Sequence, residues 1–169
     1  DALVWMISGA FGVSITTFVG QNFGAQRYDR VRQSVRVCLG MSIGTVGTLS
    51  LLMLLFRRFI LGIYTADPGV IDSGAYMMSI IVPFEAVFMP VEIFAGTLRG
   101  VGDSVKPTLI TCLCVCVVRV VWLATAVRAH HTLFMLCLCY PMTWVLAATV
   151  FTVVYLRMDW LKSRIGEKV

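Results

Sequence analysis

The sequence predicts an all-α fold, a polytopic membrane helix bundle of about five transmembrane helices, and three observations predict it. Hydrophobic residues make up 59% of the chain and charged residues 14%, with a mean hydropathy of +0.87, whereas a soluble domain carries about 25% charged residues. Apolar stretches over roughly 2–26, 37–56, 74–98 and 132–156 reach the ~20 residues that cross a bilayer, and 108–127 joins them once Arg119 is tolerated inside it. The basic residues then alternate between the two sides. Arg27, Arg30, Arg32, Arg36, Arg99, Lys106, Arg157, Lys162, Arg164 and Lys168 fall on one side, and Arg57, Arg58 and Arg128 on the other, which is a positive-inside bias. The net charge of +5 therefore reports orientation rather than nucleic-acid binding. The tail 157–169 is expected in the cytoplasm, and the first span runs inward from outside.

The first span, 2–19, is rich in Gly, Ser and Thr, the small residues that let membrane helices approach closely. It is expected inside the bundle. The following "QNFGAQRYDRVRQSVR" turns polar and basic with Val31 and Val35 four apart, so a turn and a short amphipathic helix at the cytoplasmic surface are expected there, its arginines facing anionic lipid. Span 37–56 leads into "RRFILGIYTADPGVID", an outer elbow with a turn at Asp67-Pro68-Gly69. Span 74–98 is followed by "RGVGDSVKP", a tight link in which Pro107 suits a first helical turn. That link lacks the lysine and the spacing of a phosphate-binding loop. Spans 108–127 and 132–156 are joined by "RAHHT", where His130 and His131 read as solvated loop residues.

Cys38, Cys112, Cys114, Cys116, Cys137 and Cys139 all fall in spans. Helical residues two apart point about 200° away from each other, so a C-x-C pair does not chelate one ion, and apolar packing is the expected role. Neither a metal nor a cofactor is expected. The chain opens at Asp1 directly on an apolar run, without Met or a basic leader. Upstream helices of the same protein are therefore expected, with this chain as one part of it.

The stretch "PFEAVFMPVEIF" holds the residues most suited to chemistry. Glu85 and Glu92 are seven apart, so both project from one helix face, about 10 Å apart along the axis. Pro83 and Pro90 each remove a backbone hydrogen bond, leaving carbonyls that need another partner. Ionisable residues inside a membrane cost ~2.5–3.5 kcal/mol or more when charged at its centre, so a proton or cation site is the default reading. Arg119 lies at nearly the depth of Glu85, and a Glu85–Arg119 pair is expected if spans three and four are antiparallel neighbours. Glu92 would then be the less compensated acid and the better coupling group. Trp122 is either an interface anchor or a surface for a cation or an aromatic drug. Tyr140, beside Pro141 in a second kinked helix, is a further cavity candidate.

Taken together, "VGQNFGAQRYDRVRQSVR", "AGTLRGVGDSVKPTLIT", an arginine within the next span and "YLRMDWLKS" resemble the C-terminal lobe of a multidrug and toxic compound extrusion (MATE) transporter. The resemblance runs over essentially all of the chain. It implies a twelve-helix, two-lobe protein whose helices eight to twelve are the five spans here. It also implies antiport: H+ or Na+ enters while an organic, often cationic, drug leaves between the lobes. In several members an acid on the tenth helix contributes to cation coupling, and span three is similar to that helix, which makes Glu92 and Glu85 the candidates. The implied partners are a small organic substrate, the N-terminal lobe of the same protein and the lipid bilayer, with no nucleic acid. The implied location is the inner membrane of a bacterium. A flippase for lipid-linked precursors is the alternative, and it would want more cationic groups than Arg119 in its cavity. An enzyme would want His, Asp or Ser clustered at one depth, and none is apparent.

Overall fold

The computed structural model describes residues 2–129 and 131–157, all helical apart from short turns and links. His130 and the tail residues Lys162, Arg164 and Lys168 lie outside the described residues. The helices are α1 (Ala2–Gly24), α2 (Tyr28–Leu55), α3 (Arg57–Tyr64), α4 (Pro68–Ile81), α5 (Glu85–Gly100), α6 (Val105–Thr111), α7 (Val118–Trp122) and α8 (Leu133–Arg157). A 3-10 turn, Val82–Phe84, joins α4 to α5, and π-helical stretches Cys112–Val117 and Leu123–Val127 flank α7. Five helical rods are long and apolar enough to cross a membrane: Ala2–Gly24, Tyr28–Leu55, Pro68–Gly100, Val105–Val127 and Leu133–Arg157.

Two of these rods stop in the same way. At the end of α1 the Arg27 N–H reaches the Asn22 carbonyl at 2.8 Å and the Gln26 N–H reaches Phe23 at 3.0 Å, with Gln26 at φ 59°. After α5, Asp103 N–H reaches Leu98 and Gly102 N–H reaches Arg99, both at 3.0 Å, with Gly102 at φ 91°. Both are Schellman stops, in which one left-handed residue lets the chain satisfy the last carbonyls of a helix. The two ends adjoin, because a Cβ on Gly20 would lie 3.3 Å from the Gly100 carbonyl oxygen.

α5 is the central helix, lying against α1, α2 and α8. Its Met89, Val91, Ile93, Phe94, Ala95 and Leu98 are buried. Glycine allows the closest of these contacts: a Cβ on Gly96 would come 2.8 Å from the Gly12 carbonyl oxygen, and one on Gly100 would come 2.7 Å from that of Thr16. This is the small-residue packing expected for the first span. The rod 105–127 behaves differently. None of its apolar window is buried inside the chain, against 39% for Pro68–Gly100, and it leans on α8 rather than on α5.

Three expectations change. No separate surface helix follows α1: α2 runs unbroken from Tyr28, because the buried stripe Val31, Val35, Ser42, Val46 continues through the basic segment. Asp67-Pro68 starts a helix instead of closing a turn, since the Asp67 carboxylate accepts the Gly69 N–H at 2.8 Å and Pro68 occupies the first turn. The two prolines also part ways. Pro83 lies in the 3-10 turn that restarts the rod at Glu85, whereas Pro90 stays inside α5. At the elbow between α3 and α4, Arg58 and Asp72 pair at 2.6 Å, both largely exposed.

Candidate functional site

Glu85 opens α5 directly after the 3-10 turn, within the continuous rod Pro68–Gly100. It is 5% exposed. Among the described residues its carboxylate accepts one hydrogen bond, from Ser50 Oγ on α2 at 3.0 Å. Beside it lies a cavity of about 10 Å3, lined also by Val4, Trp5, Ser8, Phe88 and Trp144, which is room for about one water or an ion of similar size. Three of these residues form an aromatic wall. Trp5 meets Phe88 at 5.1 Å and Trp144 at 6.2 Å, and Phe88 meets Trp144 at 5.8 Å, spacings at which edge-to-face rings attract.

Arg119 does not complete this acid. Its guanidinium lies 4.3 Å from the centre of the Tyr140 ring, and its Nη2 donates to Thr143 Oγ1 at 3.2 Å. Its Nε is buried without a hydrogen-bond partner among the described residues. Tyr140 in turn meets Trp144 at 6.0 Å, so aromatic rings stand where an ion pair was expected. The physical reason is lateral. A short link brings two helix ends together, but after it the rod 105–127 follows α8 and carries Arg119 away from α5. Trp122 is tied to α8 as well, its Nε1 donating to the Met135 carbonyl at 3.0 Å.

Glu92 has the partner that Glu85 lacks. Arg99, seven residues on, places Nη2 3.8 Å from Glu92 Oε2, with the side chains 43% and 26% exposed respectively. A Cβ on Gly12 would lie 2.7 Å from that same oxygen, so glycine at this point of α1 leaves room for the carboxylate. The expected order of compensation is therefore reversed: Glu92 faces a guanidinium, and Glu85 faces a hydroxyl and aromatic rings. Sequence reasoning passed over Ser50, Trp5, Phe88 and Trp144, which come from other helices and carry no local signal. Arg99 could have been found, because it repeats the seven-residue spacing of Glu85 and Glu92.

The comparisons with known proteins converge on one family. A model of the MatE family matches residues 1–125, a range that includes Glu85, Glu92 and Arg119. A probable multidrug resistance protein NorM of Aromatoleum aromaticum is 29% identical over 113 residues, 67% of this chain and 24% of that protein. The multidrug resistance protein PmpM of Pseudomonas aeruginosa is 36% identical over 108 residues, 62% of this chain and 22% of that protein. A structure described as the inward-facing conformation of a multidrug resistance MATE family transporter of the MOP superfamily superposes with a TM-score of 0.76 at 16% identity. That match covers 95% of this chain and 39% of the other, and it speaks to the fold alone. The chain spans about a quarter of the length of these curated relatives. With the family model covering well over half of its residues and five membrane-spanning rods in the matching fold, the chain belongs to the MatE family, a family of membrane transporters rather than enzymes.

Proposed function

We propose that this chain is part of the C-terminal lobe of a two-lobe secondary antiporter that exports organic, cationic compounds in exchange for H+ or Na+ by alternating access. The observation that supports this most is Glu85, an acid buried to 5% exposure whose hydrogen-bond donor among the described residues is the hydroxyl of Ser50. An ionised carboxylate so weakly compensated is costly within a membrane. A proton or a small cation entering the cavity removes that cost, and losing it restores the cost. Occupancy at Glu85 thereby favours one arrangement of α5 against α1 and α2, which is the differential interaction that alternating access needs. Glu92 complements this role. Partly exposed and loosely held by Arg99, it can exchange the guanidinium for a cation arriving from outside the lobe. The flippase alternative gains little support, since Arg119 is engaged by Tyr140 and Thr143.

The positive-inside rule supports a cytoplasmic position for the end where α1, α2, α5 and α8 gather Arg27, Arg30, Arg99 and Arg157. The relatives' bacterial hosts support an inner-membrane location. The test is efflux of a cationic dye by the reconstituted full-length protein, driven separately by a proton and by a sodium gradient. Glu85→Gln is expected to abolish efflux on the coupling gradient, and Glu92→Gln to weaken dye binding. Wild-type efflux from Glu85→Gln would remove Glu85 from the mechanism.

A further inference from the structure

The packing around α5 leaves a groove open between α1 and α2. Phe11, Ile15 and Phe18 of α1 and Ser34, Val37 and Met41 of α2 line a cleft of about 360 Å3. On each helix these residues span one heptad, so each wall is a single stripe. Within this chain the walls are open: Phe18 is 50% and Met41 59% exposed.

Followed toward the start of α2, the same stripe becomes basic. Arg30 lies one turn before Ser34, whose hydroxyl donates to the Arg30 carbonyl, and Arg27 occupies the N-cap position. Among the described residues neither Arg27 nor Arg30 belongs to an ion pair. Arg32 and Arg36 lie about 200° and 240° around the helix from Arg30, off this stripe. Asp29, the one acid of the segment, is about 100° around the helix from Arg30. From Arg30 to Met41 the helix rises about 16 Å, close to half of the ~30 Å hydrocarbon thickness of a bilayer. The groove is therefore a mostly apolar trough, about 10 Å long from Ser34 to Met41, on a stripe of α2 that continues toward the start of the helix to Arg30 and Arg27.

We propose that the α1/α2 groove binds an anionic phospholipid, its acyl chain between Phe18 and Met41 and its phosphate on Arg30 and Arg27. Charge selects the headgroup, since guanidinium grips phosphate oxygens through paired hydrogen bonds. The trough distinguishes this site from diffuse attraction to a basic surface, because it holds one chain at one place.

The test uses the full-length protein in nanodiscs of excess phosphatidylcholine with a minority of phosphatidylglycerol, extracted gently, with retained lipid counted by native mass spectrometry. Wild type is expected to retain phosphatidylglycerol preferentially. Arg27→Gln with Arg30→Gln should lower that retention by at least about fivefold, the effect of one basic side chain at an anionic surface. Met41→Trp, which fills the trough and leaves the charges intact, should lower it comparably. Arg32→Gln with Arg36→Gln should retain lipid as wild type does. Equal retention of both lipids by wild type, equal loss in the Arg32/Arg36 variant, or unchanged retention with Met41→Trp would each overturn the proposal.

Discussion

Glu85, Glu92 and Asp103 lie along one helix and the turn that ends it, and the molecule compensates each acid differently. Glu85 is 5% exposed and hydrogen-bonded by the neutral hydroxyl of Ser50. Glu92, two turns later, is about a quarter exposed and loosely paired with Arg99 at 3.8 Å. Asp103, beyond the Schellman stop, bridges Lys106 Nζ at 2.7 Å and accepts its backbone N–H at 3.2 Å. Compensation thus grows toward the end of the rod, while the cost of an uncompensated charge is greatest in its buried middle. The acid that costs most to ionise has the least help among the described residues, which is why the proposed coupling role falls on it.

The comparison can be broken first at the contact that holds α1 against α5. In Gly100→Val the new Cβ would lie 2.7 Å from the Thr16 carbonyl oxygen and 2.9 Å from Val19. Backbone has to yield there, and overpacking of this kind costs about 1–3 kcal/mol or more. Thermal denaturation of the purified full-length protein measures it, and an unchanged Tm would show that the two helices are not held at this point. Next comes Ser50→Ala, which leaves the Glu85 carboxyl without its donor and is expected to cost about 1–3 kcal/mol. Adding Glu85→Leu should recover part of that loss, since removing both partners is milder than orphaning one. Strict additivity in the double-mutant cycle would mean the two residues are not coupled.

Arg99→Gln should do less. A loose, partly exposed ion pair contributes under about 1 kcal/mol, so its effect is expected in cation affinity at Glu92 rather than in Tm. Asp103 supplies the smallest effect and a reference in water. The hydrogen bond from Lys106, with its charge, holds the Asp103 carboxyl below the usual carboxylate range. A depressed folded value means that the stabilisation is present above the ordinary carboxylate range and is lost as pH falls through the lower folded value. Asp103→Asn should therefore slightly lower stability at neutral pH and leave it unchanged in strong acid, as read from Tm against pH. A difference that persists in strong acid would mean that the charge of Asp103 is not what stabilises the link.

Much of the fold was legible because the bilayer imposes a length. Any apolar run near twenty residues is a candidate span, and the five rods follow those runs, although the second begins nine residues and the third six residues before its run. The small residues of the first span marked a helix that packs closely, and α1 meets α5 at Gly12, Gly96 and Gly100. The segment from Tyr28 to Arg36 misled because basic residues suggested a surface helix, whereas the valine stripe beneath them continues into the span. The π-helical stretches around Arg119 carry no residue that would have announced them.

The site was legible only in part, and Glu85 and Arg119 show why. Counting residues from the helix ends estimates depth in the membrane well, because helical rise is constant. It says nothing of azimuth. Two residues at one depth can face each other or lie on opposite sides of a bundle, and here Tyr140 and Trp144 intervene. The sequence by itself determined the number of spans, the end of the bundle that gathers positive charge, and the position of each acid along its rod. These follow from hydropathy and rise, which are properties of one segment at a time. Only the tertiary structure decided that Ser50 meets Glu85, that Gly12 makes room for Glu92 and that Arg119 turns to α8. Those contacts depend on the order of helices around α5, and that order is set by the fit of side chains between segments far apart in the chain.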